Sequence, residues 1–324
     1  MHSSPSIEAI REAAEKIMPY IHRTPVFTSA TINRICRGQI YFKSENMQKV
    51  GAFKARGAVN AVFSLGEEDF PANGNGEKCV TTHSSGNHAA ALAYAARCRG
   101  ITSHVVMPEN APPVKKSAVA GYGARITYTE PTQQAREETL KDIVAQTGAV
   151  FIHPYNDRRV IAGQATAALE LMEQIPDLDT IITPVGGGGL LSGTALSVSS
   201  LQPGTEVLGA EPAGADDAFR SLQAGKIIPL TNPQTIADGL RTSLGSLTFP
   251  IIYKHVRAIL TADEEAIIEA MRLTWERMKL VVEPSASLPL AALMSKRDQV
   301  KGEKIGLIIS GGNVDLDHLP WQKG

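Results

Sequence analysis

Three cysteines, Cys36, Cys79 and Cys98, are all that 324 residues contain, widely spaced and with no CxxC pair. Their scarcity excludes a disulfide framework and a thiolate zinc site, and makes the cytosol the expected compartment. An excess of charge of one sign is missing too. The 32 Lys+Arg nearly cancel the 33 Asp+Glu, so no strong field draws the chain onto nucleic acid or an anionic membrane, and a small molecule is the expected partner. Nowhere do 18 apolar residues run together, which leaves no membrane-spanning helix. The first ten residues place Ser, Pro and Glu where a secretory signal needs a basic start and an apolar run. Internal repeats and low-complexity segments are also absent.

Apolar residues make up 43% of the chain, enough for one large or two medium cores. They gather in short runs at 40–43, 79–82, 104–107, 126–129, 150–153, 180–185, 207–210 and 305–309. Most are continuous rather than alternating, as strands covered on both faces require. Stretches of helical character at 87–98, 134–146, 165–174 and 262–278 alternate with them. The pattern predicts an α/β fold with parallel-rich twisted sheets flanked by helices, and ligands at the C-terminal ends of strands. The PANGNG loop at 71–76 and a second crossing near 153–157 divide it into two domains. The larger is expected at 1–77 plus 155–324, the smaller at 78–154.

Three glycine-bearing loops follow strands. TPVGGGGLLSG carries Gly186, Gly187, Gly188 and Gly189 from a strand into a helical stretch; glycines there let backbone N–H groups converge on an anion at a helix N-terminus. A glycine hinge or tight turn is the plain alternative. The run fits neither the dinucleotide fingerprint nor a Walker GK[ST] motif. SSGNH (Ser84, Ser85, Gly86, Asn87, His88) and ISGGN (with Ser310) are the other two loops, and the three together make one site.

A lone lysine is normally a solvated surface group. Lys54, however, stands in FKARGA, and FKARGA, HSSGNH, PVGGGGLLSG, AEP with ADD, IADG, ERMKLVVEPSA and ISGGN occur in that order. From about Arg23 to Asp315 the chain thereby resembles the fold-type II pyridoxal-phosphate enzymes, and within them the serine racemase and threonine dehydratase family. The resemblance implies a tryptophan synthase β-like two-domain fold, with a large cofactor-binding domain and a small substrate-clamping one. It further implies that Lys54 carries pyridoxal 5'-phosphate, Phe53 packs on its ring, and Gly186 to Gly189 hold its phosphate. Asn87 matches the residue contacting the ring hydroxyl, and Ser310 the one facing the ring nitrogen. A neutral hydroxyl there leaves that nitrogen largely unprotonated, which favours rapid loss of a β-substituent. Lys54, once released, is suited to take the α-proton.

On these grounds the expected activity is an ammonia-lyase (dehydratase) acting on L-serine, L-threonine or 3-hydroxyaspartate. Ser85 matches the serine that exchanges the second proton in serine racemases, so a racemase with dehydratase side activity is the rival reading. A relative that binds ligand without chemistry is the remote one. Ser84, Ser85, Gly86, Asn87 and His88 offer donors to a substrate α-carboxylate. Arg136 matches an arginine able to reach a distal carboxylate, with a surface ion pair to Glu137 or Glu138 as its plain alternative. Glu211, Ala215 and Asp217 match a site for Mg²⁺, Ca²⁺ or Mn²⁺; an acidic helix start is the alternative. Lys49, Tyr122, Met278 and Asn313 fall at positions used for nucleotide activation, but Val50 departs from the pattern, and ATP is left open as an effector. His83 and His153 lie near the cleft without an assigned task. A homodimer is the family expectation, and with the last residue, Gly324, shortly after ISGGN no separate regulatory domain is expected.

Overall fold

The computed structural model describes residues 4–70 and 77–322. The 71–76 loop, read above as a domain crossing, lies outside the described residues. Ten strands are described: β1 (Val26–Phe27), β2 (Gln39–Ser44), β3 (Cys79–His83), β4 (Thr102–Pro108), β5 (Arg125–Thr129), β6 (Val150–Phe151), β7 (Thr180–Pro184), β8 (Glu206–Pro212), β9 (Ala258–Ala262) and β10 (Lys304–Ile309). Six form a sheet in the order β1-β2-β10-β7-β8-β9, and four a second sheet in the order β5-β4-β3-β6. Every pairing is parallel except β1 with β2. This is the expected α/β architecture of two parallel-rich sheets flanked by helices. No helix among the described residues is long and apolar enough to cross a membrane.

Continuous apolar runs are explained by burial on both sides. Ile182, Leu208 and Leu307 pack with Leu288 and Leu293 of the helix Pro284–Ser295 on one face of the larger sheet. Their neighbours Ile181, Val207 and Ile308 face the other way, onto Leu171 and Leu191 of the helices Arg158–Gln174 and Gly189–Leu201. Each such side chain withdrawn from water contributes roughly 1.5–3 kcal/mol.

Three helices approach through glycine. A Cβ on Gly57 would lie 2.8 Å from the Val160 carbonyl oxygen, one on Gly163 2.6 Å from that of Arg56, and one on Gly193 2.7 Å from the Ala165 nitrogen. The helix Lys54–Phe63 is therefore held against Arg158–Gln174, and that against Gly189–Leu201, at backbone distance. Arg56 fixes the first turn of its helix. Its fully buried guanidinium bonds Glu45 at 2.7 and 2.8 Å and Glu170 at 2.8 and 2.9 Å, and Lys43 reaches Glu170 at 2.6 Å. Removing one partner from such a buried set costs about 3–5 kcal/mol, because a charge is left unpaired.

Two expectations change at element ends. The stretch 150–153 pairs only at Val150 and Phe151, because the chain turns where the His153 ring accepts backbone N–H groups from Tyr155 and Asn156. The helix expected from 262 is Glu264–Met278, capped by the Asp263 side chain on the Ala266 N–H, and Ala258–Ala262 before it is strand β9.

Candidate active site

Lys54 opens its helix, and the chain leading into it is tied to the end of β10. The Phe53 N–H donates to the Ser310 carbonyl at 3.0 Å, and Ala52 bridges to Gly311. Through the glycine contacts between helices, Lys54 comes to the start of Gly189–Leu201. The first amides of that helix have no acceptor within it and stand at the positive end of its dipole. Gly188 caps it at φ +89°, and a Cβ on Gly187 would fall 2.3 Å from the Tyr155 ring, so the loop has room for glycine alone at these places. The third element comes from the smaller sheet: β3 ends at His83, and Ser84, Ser85 and Gly86 lead into the helix Asn87–Arg99.

These elements line one cavity of about 510 Å³. Phe53, Lys54, Ser84, Ser85, Gly86, Asn87, His88, Arg136, Gly186, Gly187, Gly188, Gly189 and Ser310 all contribute to its wall. Residues more than 200 positions apart in the chain meet here because each lies at, or just beyond, a strand or helix terminus.

Burial sets the electrostatics. The Lys54 Nζ donates to the Pro154 carbonyl at 2.9 Å and lies 5.1 Å from the Phe53 ring centroid. Desolvation pushes its pKa down to about 8, against the pull of Glu283. Glu283 accepts from Asn87 Nδ2 at 2.7 Å, and burial pushes its carboxyl up to about 7. Lys115 pairs with Asp238 across the cavity; burial alone would lower its pKa, but Asp238 and Glu283 raise it. Burial, then His83 and Lys54, drive His153 down to about 4, and its Nδ1 is already occupied by the N–H groups of Tyr155 and Asn156 at 3.3 and 2.9 Å. It is a neutral ring that shapes the loop. His88 is held well below the ordinary histidine value, chiefly by burial, and its Nε2 lies 3.3 Å from the Ile152 carbonyl oxygen.

Arg136 is half-buried at the cavity, its Nε donating to the Thr132 carbonyl at 3.2 Å. Glu211, Ala215 and Asp217 do not line this cavity. Glu211, on β8, accepts from the Ala218 and Phe219 N–H groups at 2.9 and 2.8 Å, while both Asp217 carboxylate oxygens are buried without a hydrogen-bond partner. Burial pushes Glu211 up to about 8 and Asp217 up to about 7. Among the described residues no three His, Cys, Asp or Glu side chains cluster to hold a metal. Asn313 is bonded to the Val50 carbonyl at 2.8 Å, and Val50 and Tyr122 pack on one apolar cluster.

Lys115, Tyr155, Asp238, Glu283 and Ser285 also line the cavity without having been singled out. Asp238 and Glu283 sit inside IADG and ERMKLVVEPSA, so motif membership was a usable signal for them. Lys115 gave none, since a lysine in the first turn of a short helix reads as a surface group.

The likeness to known proteins runs over nearly the whole chain. The family described as pyridoxal-phosphate dependent enzyme matches residues 17–311. A serine racemase of Dictyostelium discoideum is 51% identical over 318 residues, 97% of this chain and 96% of its own. A beta-hydroxyaspartate dehydratase of Paracoccus denitrificans is 49% identical over 317 residues, covering 98% and 99%. The crystal structure of the Dictyostelium discoideum serine racemase superposes with a TM-score of 0.91 at 50% identity, over 97% of this chain and all (100%) of that one. A half-buried lysine in one cavity with a glycine run is thus accounted for: the chain belongs to the fold-type II pyridoxal-phosphate dependent enzymes, in the family of the serine racemases and hydroxyaspartate dehydratases.

Proposed function

We propose that this enzyme is an ammonia-lyase converting a β-hydroxy amino acid, L-serine, L-threonine or 3-hydroxyaspartate, to a 2-oxo acid and ammonia. The observation that carries this reading is the Lys54 amine, with its lowered pKa, in one cavity with the four-glycine cradle and the neutral Ser310. Gly186 to Gly189 fit a phosphate monoester, Phe53 a ring face, Asn87 a ring hydroxyl and Ser310 an uncharged ring nitrogen. When bound, pyridoxal phosphate supplies an aldehyde for the substrate amine and a ring that draws electrons from Cα.

The rest falls to the chain. Lys54 takes the proton from Cα as its free amine and holds it as ammonium. Donors of Ser84, Ser85, Gly86, Asn87 and His88 at a helix start hold the α-carboxylate and so set the Cα–H bond direction. The β-hydroxyl then takes up the proton that Lys54 holds and leaves as water, and a later water releases ammonia, giving the 2-oxo acid. The unit carrying these donors, residues 78–154, acts as the clamp, and 1–77 plus 155–324 as the cofactor-binding domain.

A racemase is the second reading, favoured by the Ser85 hydroxyl in the cavity wall, where it can return a proton to Cα. Arg136 extends either reading to a dicarboxylic substrate. The orphaned oxygens of Asp217, with Glu211 and the Ala215 carbonyl, fit a hard cation, Mg²⁺, Ca²⁺ or Mn²⁺. A cytosolic homodimer is the assembly this reading carries, with ATP as a candidate effector at Asn313 and Tyr122. The test incubates holoenzyme with each amino acid, assays 2-oxo acid and ammonia, and resolves residual serine on a chiral column. Ammonia release exceeding inversion supports the lyase; inversion without ammonia overturns it in favour of the racemase.

A further inference from the structure

The Asn87 side-chain amide is gripped at both ends. Its Oδ1 accepts from Asn313 Nδ2 at 2.9 Å, and its Nδ2 donates to Glu283 Oε1 at 2.7 Å. An asparagine amide can be turned end for end with little change in shape, so its neighbours decide which end faces which way. Here they allow one answer. Asn313 Nδ2 also donates to the Val50 carbonyl at 2.8 Å, and a backbone carbonyl can only accept. Asn313 therefore presents its amine end, and what that end meets on Asn87 is an oxygen. At the far side an ionised Glu283 can only accept, so what it meets on Asn87 is a nitrogen.

The anchor of this ladder is strained. Val50 has φ +57°, a left-handed conformation that disfavours a β-branched residue and costs on the order of 1–3 kcal/mol. Gly51 follows at φ +67°, and a Cβ there would lie 2.6 Å from Asn313 Oδ1. The turn that leads into Lys54 thus holds its carbonyl on Asn313 at a conformational cost. Glu283 is 3% exposed, its Oε2 is buried with no partner, and Gly311 lies so close that a Cβ would be 2.5 Å from its Oε1. Asn87 belongs to the unit of the smaller sheet, while Glu283 and Asn313 flank β10 of the larger one.

We propose that Asn313 and Glu283 are positioning residues that lock the Asn87 amide in this orientation, so that its second Nδ2 hydrogen is a fixed donor at the cavity. The inference rests on the pyridoxal-phosphate reading, in which the acceptor is the ring hydroxyl. A donor aimed before the ligand arrives loses no rotational freedom on binding, and that gain appears as affinity.

Apo-protein titrated with pyridoxal 5'-phosphate, followed by absorbance, provides the test. E283Q keeps the size of the side chain but offers both a donor and an acceptor, so the amide can turn; N313D offers no donor. Each should weaken cofactor binding by about ten-fold and displace the absorption maximum of the bound cofactor. At about pH 9, where Glu283 and Lys54, with pKa values of about 7 and about 8, have both given up their protons, neither effect should survive in an N87A background. Wild-type affinity and spectrum in both variants, or losses that add in full to that of N87A, overturn the inference. Thermal melts of the apo-proteins establish folding, and if one variant fails to fold the cycle is run on the other. A wild-type protein that takes up no cofactor sinks the pyridoxal-phosphate reading and this inference together. Uptake that is normal and indifferent to both substitutions sinks the inference alone.

Discussion

Gly163 and Arg56 meet backbone to backbone: a Cβ on Gly163 would lie 2.6 Å from the Arg56 carbonyl oxygen and 2.6 Å from the Gly57 Cα. Arg56 cannot move aside, since Glu45 and Glu170 pin its guanidinium. Gly163→Ala should therefore push the helix that begins at Lys54 away from its neighbours. We expect a loss of about 1–3 kcal/mol in urea unfolding, with weaker cofactor uptake. Gly204→Ala, where a Cβ meets nothing within 4 Å, is the control and should change neither.

Lys54→Ala removes the amine that shares a cavity with the glycine run. The purified wild-type protein should be yellow, with a visible band from lysine-bound cofactor, and the variant should lack that band. Elimination should fall by at least about a thousand-fold, because nucleophile and base are lost together. A variant that keeps both colour and turnover would remove Lys54 from the chemistry.

The glycine run was legible as a turn into a helix because its neighbours in the chain carry the signal, a strand, then glycines, then an apolar helix, whereas Lys54 stood out only through the ordered motifs of the resemblance. The larger sheet was legible because β7 and β10 are buried on both faces and so cannot alternate. What the sequence hid depends on tertiary contact. The Asn87–Glu283 bond joins positions 196 apart, and nothing local to either residue marks it. Strand β9 runs into its helix with only Asp263 and its cap between them, so the two apolar stretches merge in a linear reading. The helix Pro284–Ser295 starts on a proline, which suits a first turn, but contains another, Pro289, which argues against a helix interior until burial on all sides outweighs it.

Free Lys54 captures an aldehyde only as neutral amine. Burial lowers its pKa to about 8, so the rate at which apo-protein takes up pyridoxal 5'-phosphate should rise as pH passes through about 8 and then level. The negative charge of Glu283 opposes this shift, and Glu283→Gln should move the midpoint lower still. The sign carries over to stability. Between about 8 and the ordinary lysine value of 10.5 the unfolded chain holds a proton that the folded chain has released, so this group adds stability as pH rises. Stopped-flow absorbance across pH checks the rate, and a midpoint near the ordinary lysine value would contradict the burial argument.

Glu211 and Asp217 are raised to about 8 and 7, so without a cation the folded protein binds protons that the unfolded chain gives up. Their contribution is then present at acid pH and lost as pH rises through those values. A divalent cation bound to the ionised pair reverses this loss. Magnesium should raise the Tm of EDTA-treated protein at pH 8 by several degrees, on the order of 4–8 °C, and far less at pH 5. Asp217→Asn should abolish the difference between the two conditions. Equal melting temperatures with and without Mg²⁺, Ca²⁺ and Mn²⁺ at pH 8 would leave the carboxylates as a protonated structural pair.

Arg136 is the residue through which substrate choice can be read. It lies half-buried at the cavity beside His83, whose pKa is lowered first by burial and then by the Arg136 charge, so the neighbouring imidazole adds no second positive charge at neutral pH. A distal carboxylate there would gain a charge-assisted, forked hydrogen bond that serine and threonine cannot make. Arg136→Ala should therefore lower kcat/KM for 3-hydroxyaspartate by about a hundred-fold and for L-serine by less than about three-fold. Arg136→Lys should recover little of the loss, because an ammonium does not match the two carboxylate oxygens. Parallel steady-state kinetics on the two substrates decide the point. Equal losses on both would make Arg136 a support of the helix at Thr132 rather than a contact to the substrate.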